Sequence, residues 1–159
     1  MNDLWLGVCA DKADFVFLLP NRPVLPSSVD SSVFKKPNVS SLIELNGNHW
    51  RKIFTIMAKL TAPTYDSWKV FRDTELLTKV GIAFSLDQLC DYKGIVFIVG
   101  NRFRDELPVA DSAQEIGDVH ASFVCLPYIW CPYLDYRQFP NALIEALREH
   151  ILEKKCLKP

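Results

Sequence analysis

Short unbroken apolar runs alternate along the chain with segments whose apolar residues recur at helical spacing. Gly94-Ile-Val-Phe-Ile-Val-Gly100 is apolar between its glycines, as a strand buried on both faces requires. Phe15-Val-Phe-Leu-Leu19, stopped by Pro20, reads the same way, and Leu4–Cys9 reads as an earlier strand. Ala121–Leu126, closed by Pro127, predicts the next buried strand. Between these runs Trp50, Ile53, Phe54, Met57 and Leu60 share one helical face, in a helix capped by Asn46 or Asn48 and ended by Pro63. A second helix is expected over about 66–79, with Trp68, Phe71 and Leu76 or Leu77 inward. A short third helix starts at Ser85, where Gln88 completes a Ser-x-x-Gln capping box. The last helix runs from about Pro140, which suits a first helical position, to Lys154. Leu143, Ile144, Leu147, Ile151 and Leu152 make its buried stripe.

Buried strands alternating with amphipathic helices predict an α/β fold: a three-layer sandwich with a short, mostly parallel central sheet flanked by helices. No repeat, low-complexity tract or linker divides residues 1–159, so a single domain is expected. The Pro- and Ser-rich stretch over about 21–41, with Pro23, Pro26 and Pro37, reads as a long surface loop.

At 159 residues and 49% hydrophobic content, the chain is long enough to bury one core without disulfides or metal. Its net charge of −1 creates no global field for nucleic acid or an anionic membrane, although a local basic patch remains compatible with it. No basic segment and apolar run mark a secretory signal, and the apolar runs are too short to span a bilayer. The five cysteines form no CxxC pair, which fits reduced thiols and a cytoplasmic location.

In open α/β sheets ligands bind beyond the carboxyl ends of the strands. Pro20-Asn-Arg-Pro23, Gly100-Asn-Arg-Phe-Arg-Asp105 and Pro127-Tyr-Ile-Trp-Cys-Pro-Tyr133 follow the three long strands, and they converge if those strands are parallel neighbours. The expected ligand-binding set is Arg22, Asn101, Arg102, Arg104, Tyr128, Trp130 and Tyr133. Arginines beside aromatic rings suit an anionic small molecule, a nucleotide or single-stranded nucleic acid. The plainer alternatives are exposed arginines pairing with Asp105 or Glu106, and aromatics that pack the last helix or a dimer contact. Asn21, Asp105 and Asp135 are the weak candidates for catalysis. His49, His120 and His150 are scattered and the cysteines isolated, so no metal is expected. No GxGxxG, phosphate-binding glycine loop or Gly-x-Ser-x-Gly elbow is present, and no cofactor is expected.

The order of pieces resembles the uracil-DNA glycosylase superfamily over roughly residues 14–150. Phe15–Leu19 with Pro20-Asn-Arg-Pro23 is similar to that family's first strand and its Asn/Asp- and Pro-containing loop. Ile95–Gly100 resembles its VFLLWG-type strand, His120–Leu126 its histidine-led strand, and Phe139-Pro-Asn141 the start of its final helix. Where the family carries His-Pro-Ser-Pro, this chain has Pro127-Tyr-Ile-Trp-Cys-Pro132. The resemblance implies a glycosylase-like fold without glycosylase chemistry, because no histidine is present to stabilise the leaving group.

The leading expectation is a non-catalytic α/β domain binding an anionic, nucleotide or nucleic-acid ligand. The alternatives are a partner-docking or homodimerising module using residues 127–139, and a nucleobase- or nucleotide-directed hydrolase in which Asn21 positions water and Asp105 or Asp135 is the base.

Overall fold

The computed structural model describes residues 4–25, 39–90, 92–117 and 119–156. Seven strands, β1 (Leu6–Gly7), β2 (Phe15–Leu18), β3 (Val80–Ala83), β4 (Ile95–Val99), β5 (Gln114–Gly117), β6 (Ala121–Cys125) and β7 (Tyr128–Cys131), form one sheet in the order β1-β3-β2-β4-β7-β6-β5. The helices are α1 (Val39–Asn46), α2 (Asn48–Thr61), α3 (Trp68–Thr74), α4 (Leu76–Lys79) and α5 (Asn141–Cys156). Most of the loop expected over 21–41 lies outside the described residues, and the end of that stretch is helical, as the start of α1.

The α/β class holds, but the sheet is mixed and broad rather than short and mostly parallel. The pairings of β2 with β3, β2 with β4 and β4 with β7 are parallel. Those of β1 with β3, β5 with β6 and β6 with β7 are antiparallel. The correction comes from Tyr128-Ile-Trp-Cys131, which is a strand and not a loop. It pairs with β4, places its rings on a pleated surface and folds back on β6 as a hairpin. The expected strand at Ala121–Leu126 is therefore the antiparallel partner of β7 in that hairpin and does not pair with β4. Val80-Gly-Ile-Ala83 is a further parallel strand where the second helix was expected to end; that helix breaks at Glu75 into α3 and α4.

The layering also differs from a three-layer sandwich. All five described helices pack against one face, over Phe15, Phe17, Val80, Ile82, Phe97, Val99, Ile129 and Cys131. Phe17 and Phe97, opposite each other in the β2–β4 ladder, stack with centroids 4.5 Å apart. Among the described residues, the other face is covered by a short 3-10 turn, Leu86–Leu89, and by Phe103, Leu107, Val109, Ala110 and Ala113 of the β4–β5 connection. The predicted capping box starts that turn, with Gln88 Oε1 accepting the amides of Phe84 and Ser85 at 2.7 and 3.0 Å.

Tyr92 ties this second face to the chain before β2, its hydroxyl donating to the Ala13 carbonyl at 3.0 Å. Burial, reinforced by Asp14, pushes that hydroxyl from its ordinary 10.0 to about 12. Below pH ~10 both folded and unfolded chains keep the proton and the contribution is fully present. It is lost as pH rises towards about 12, because the unfolded chain ionises first. The half-buried position limits its size. Urea midpoints measured between pH 9.5 and 12 should therefore fall less steeply for Tyr92→Phe than for the natural chain; equal slopes would assign the alkaline loss to other groups.

Candidate functional site

β3, β2, β4 and β7 run side by side in the same direction, so the chain leaves all four at one edge. The exit from β2 is Leu19-Pro20-Asn21-Arg22, that from β3 is Phe84, that from β4 is Gly100, and that from β7 is Pro132-Tyr133. Gly100, at φ +75°, turns the chain away from β4 while its amide still donates to the Cys131 carbonyl at 2.9 Å. A side chain at Gly100 would touch both the Tyr133 ring and Pro20, 3.9 and 4.0 Å away. The exits of β2, β4 and β7 therefore meet there.

At this meeting point three side chains form a hydrogen-bonded chain. The Tyr133 hydroxyl donates to Asn21 Oδ1 at 3.0 Å, and His49 Nε2 lies 2.8 Å from the same hydroxyl. The imidazole also stacks on the Tyr133 ring, centroids 5.7 Å apart. Burial pushes the Tyr133 hydroxyl up, so the phenol keeps its proton at neutral pH and can donate. His49 arrives from the first turn of α2, behind Gly47, whose φ of +84° replaces the side-chain cap expected from Asn46 or Asn48. Asn46 instead clamps the strand exit, accepting the Val24 amide at 2.7 Å and donating to the Val24 carbonyl at 2.9 Å. Arg22, exposed, lies over the Phe84 ring at 5.7 Å and forms no ion pair among the described residues.

The expected site residues divide by position. Asn21, Arg22 and Tyr133 stand at the edge. Asn101 and Arg102 are exposed in the β4 exit, with Arg102 over the ring of its neighbour Phe103 at 5.9 Å. Arg104 is drawn onto the second face, over Phe123 at 5.8 Å. Trp130 does not line the site: it is 2% exposed, packs in the second-face core and donates to the Leu107 carbonyl at 2.9 Å. Tyr128 begins β7 and so lies at the opposite edge. Both departures follow from 128–131 being a strand. A partner-docking surface anchored on Trp130 has no exposed ring to use. Asp105 is exposed in the β4 exit, and Asp135 accepts the Arg137 amide at 3.2 Å just beyond Tyr133. Cys131 is buried, which pushes its thiol up and removes it as a nucleophile. Among the described residues no three His, Cys, Asp or Glu side chains gather in a way that could hold a metal, and no helix is long and apolar enough to cross a membrane.

His49 is the residue that sequence reasoning set aside. Its role depends on a contact across 84 positions, which no local pattern announces.

A profile described only as a family of unknown function matches residues 6–152, which include every strand and the whole edge just described. The chain belongs to the family DUF6942. No curated protein matches this DUF6942 chain, and no solved structure does. The likeness to uracil-DNA glycosylases thus stays one of element order, and the structure alters it. The strand beside β4 is β7, led by Tyr128, and the His120-led strand is its antiparallel neighbour.

Proposed function

We propose that the carboxyl edge of β3, β2, β4 and β7 binds an anionic ligand, with nucleotides and single-stranded nucleic acid as the matching class. The observation that carries this reading is the His49–Tyr133–Asn21 chain, assembled from three separate elements beside Arg22, which forms no ion pair among the described residues. Hydrogen-bonding side chains brought together from distant segments at the exits of parallel strands are the usual way such sheets hold ligands. α2 contributes a first turn whose amides receive no side-chain cap, which favours negative charge nearby. Arg22 and Arg102 add cations on the solvent side, and Phe84 and Tyr133 add rings.

The reading is one of binding: neither the Asp105 nor the Asp135 carboxylate hydrogen-bonds to Asn21, His49 or Tyr133, although the charge of Asp135 adds to the burial that pushes the Tyr133 hydroxyl up. Titration with adenosine monophosphate should show binding that weakens as salt rises, because the contact is between charges. Arg22→Ala should lower the affinity about tenfold, the effect of one lost charge-assisted hydrogen bond of ~1.4 kcal/mol. Affinity indifferent to both salt and Arg22→Ala would remove the ligand from this edge.

A further inference from the structure

Basic side chains set over rings recur along the carboxyl edge, on different strands. Arg22, leaving β2, stands over Phe84 at the exit of β3. His49 stacks on Tyr133 at the exit of β7. In the exit of β4, Arg102 lies over Phe103 at 5.9 Å, and Arg104 reaches Phe123 of β6 at 5.8 Å. Phe123 pairs with Trp130, the residue before the end of β7, so this last ring sits one residue in from the edge. The charge of Arg104 also acts on the Cys131 thiol, against the effect of burial, which places the guanidinium near the end of β7. From β3 to β6 the order is β3-β2-β4-β7-β6, four inter-strand spacings of ~4.8 Å, so the rings span about 19 Å.

None of these arginines forms an ion pair among the described residues. Arg104 Nε is buried without a hydrogen-bond partner, so the Phe123 ring, not a carboxylate, holds this guanidinium. Asp105 and Glu106 stand in the same exit and Glu115 lies opposite Phe123 in β5, so the net charge there is small and the rings must share the recognition. A mononucleotide offers one base and one phosphate group and engages one such pair at a time. A single strand repeats both, with a phosphate about every 3.4 Å when stacked, so a few successive nucleotides meet every pair. Proteins that hold single strands combine cations that follow the backbone with rings on which bases stack. Tyr133 and Phe123 are half-buried and keep part of each ring open, whereas the buried Phe84 and Phe103 seat their arginines. An acidic polypeptide repeats the charge without the flat bases.

We infer that this edge takes a single-stranded nucleic acid of several nucleotides, laid from Arg22 and Phe84 beside β3 to Arg104 and Phe123 on β6. The path passes from the helix-covered face, where Phe84 packs, to the second face, where Phe123 packs. This rests on the ligand-binding reading of the same edge and adds that the ligand is a polymer, and its course.

The test is fluorescence anisotropy of the full chain with labelled thymidine oligonucleotides of about two to eight nucleotides, beside adenosine monophosphate. Affinity should rise about tenfold or more with length and level off once the edge is spanned. Arg104→Gln, which keeps the stem and removes the charge, should weaken the longest oligomer about tenfold and lower its salt slope by about 0.7, while adenosine monophosphate, held at Arg22, loses far less. Arg104→Lys keeps the charge and should retain most of the affinity. Oligomer affinity that does not depend on length, or that is unchanged in Arg104→Gln, overturns the polymer path, while Arg22-dependent binding of adenosine monophosphate would still uphold the reading of the edge. Competition by polyglutamate as strong as by unlabelled oligomer overturns it too, since charge alone would then suffice. If neither adenosine monophosphate nor any oligomer binds, the reading of the edge fails and the path with it.

Discussion

Trp130→Ala should destabilise the domain by about 3–5 kcal/mol, the range found for removing a large buried aromatic. Trp130 sits in β7 between Ile98 of β4 and Phe123 of β6, in the middle of the face that no described helix covers. Its ring fills that face, and its indole N–H holds the Leu107 carbonyl of the β4–β5 connection. Truncation opens a cavity and releases the covering segment together. Since a domain of this size is stable by about 5–15 kcal/mol, the loss takes a large share of the total. Trp130→Phe separates the two effects. It keeps much of the buried area but leaves the Leu107 carbonyl without its donor, which should cost about 1–3 kcal/mol. Urea denaturation reads both through the midpoint, at unchanged slope if the unfolded state is the same. A Trp130→Ala midpoint no lower than that of a substitution at the exposed Tyr136 would mean that this face is not part of the core.

Arg148→Met should cost about 2–4 kcal/mol, because it leaves buried carbonyls unpaired while preserving most of the side-chain volume. Arg148 is 7% exposed in α5, and its Nη1 donates to the carbonyls of Lys59 and Ala62 at 3.0 and 2.8 Å. Those are carbonyls of the last turn and cap of α2, which have no partner within the helix. The guanidinium lies over Tyr65 at 5.7 Å and brings positive charge to the negative end of α2. Nearby, Lys59 Nζ lies over the Trp68 and Tyr136 rings at 5.0 and 5.3 Å and donates to Asn141 Oδ1. α2, α3 and α5 are thus joined by cations on rings and carbonyls more than by ion pairs. Arg148→Lys should recover only part of the loss, since one ammonium replaces a planar fork. Hydrogen exchange at the last turn of α2 should quicken in Arg148→Met. Protection unchanged there, with an unchanged urea midpoint, would show that water replaces the guanidinium at no cost.

Patterns that depend on near neighbours were legible in the sequence. β2 and β4 are continuous apolar runs bounded by Pro or Gly, and α2 and α5 carry apolar residues at helical spacing. The Ser85–Gln88 box needs only four residues. The rest depends on competition between equivalent local readings. Val80-Gly-Ile-Ala83 is too short to outweigh the helical spacing running into it from Leu76. Tyr128-Ile-Trp-Cys131 lies between two prolines, which read as loop boundaries, although its ring-rich composition has high strand propensity. Treating it as a loop put Trp130 in the site and left Ala121–Leu126 as the strand expected to lead into it. Asn21 was legible because it follows the apolar run Phe15–Leu19 almost directly, and Tyr133 only as the last ring of a segment read as an aromatic loop. His49 was not, since its place is set by how α2 packs across the exit of β7.

The central claim is that the His49–Tyr133–Asn21 edge with Arg22 holds an anionic ligand. The most direct measurement is the calorimetric titration of adenosine monophosphate into the natural chain, Arg22→Ala and Tyr133→Phe, each at low and high salt. The account predicts binding by the natural chain that weakens with salt, about tenfold weaker binding by Arg22→Ala, and a smaller loss for Tyr133→Phe. Equal affinity in all three folded proteins, or no binding by the natural chain, would contradict it.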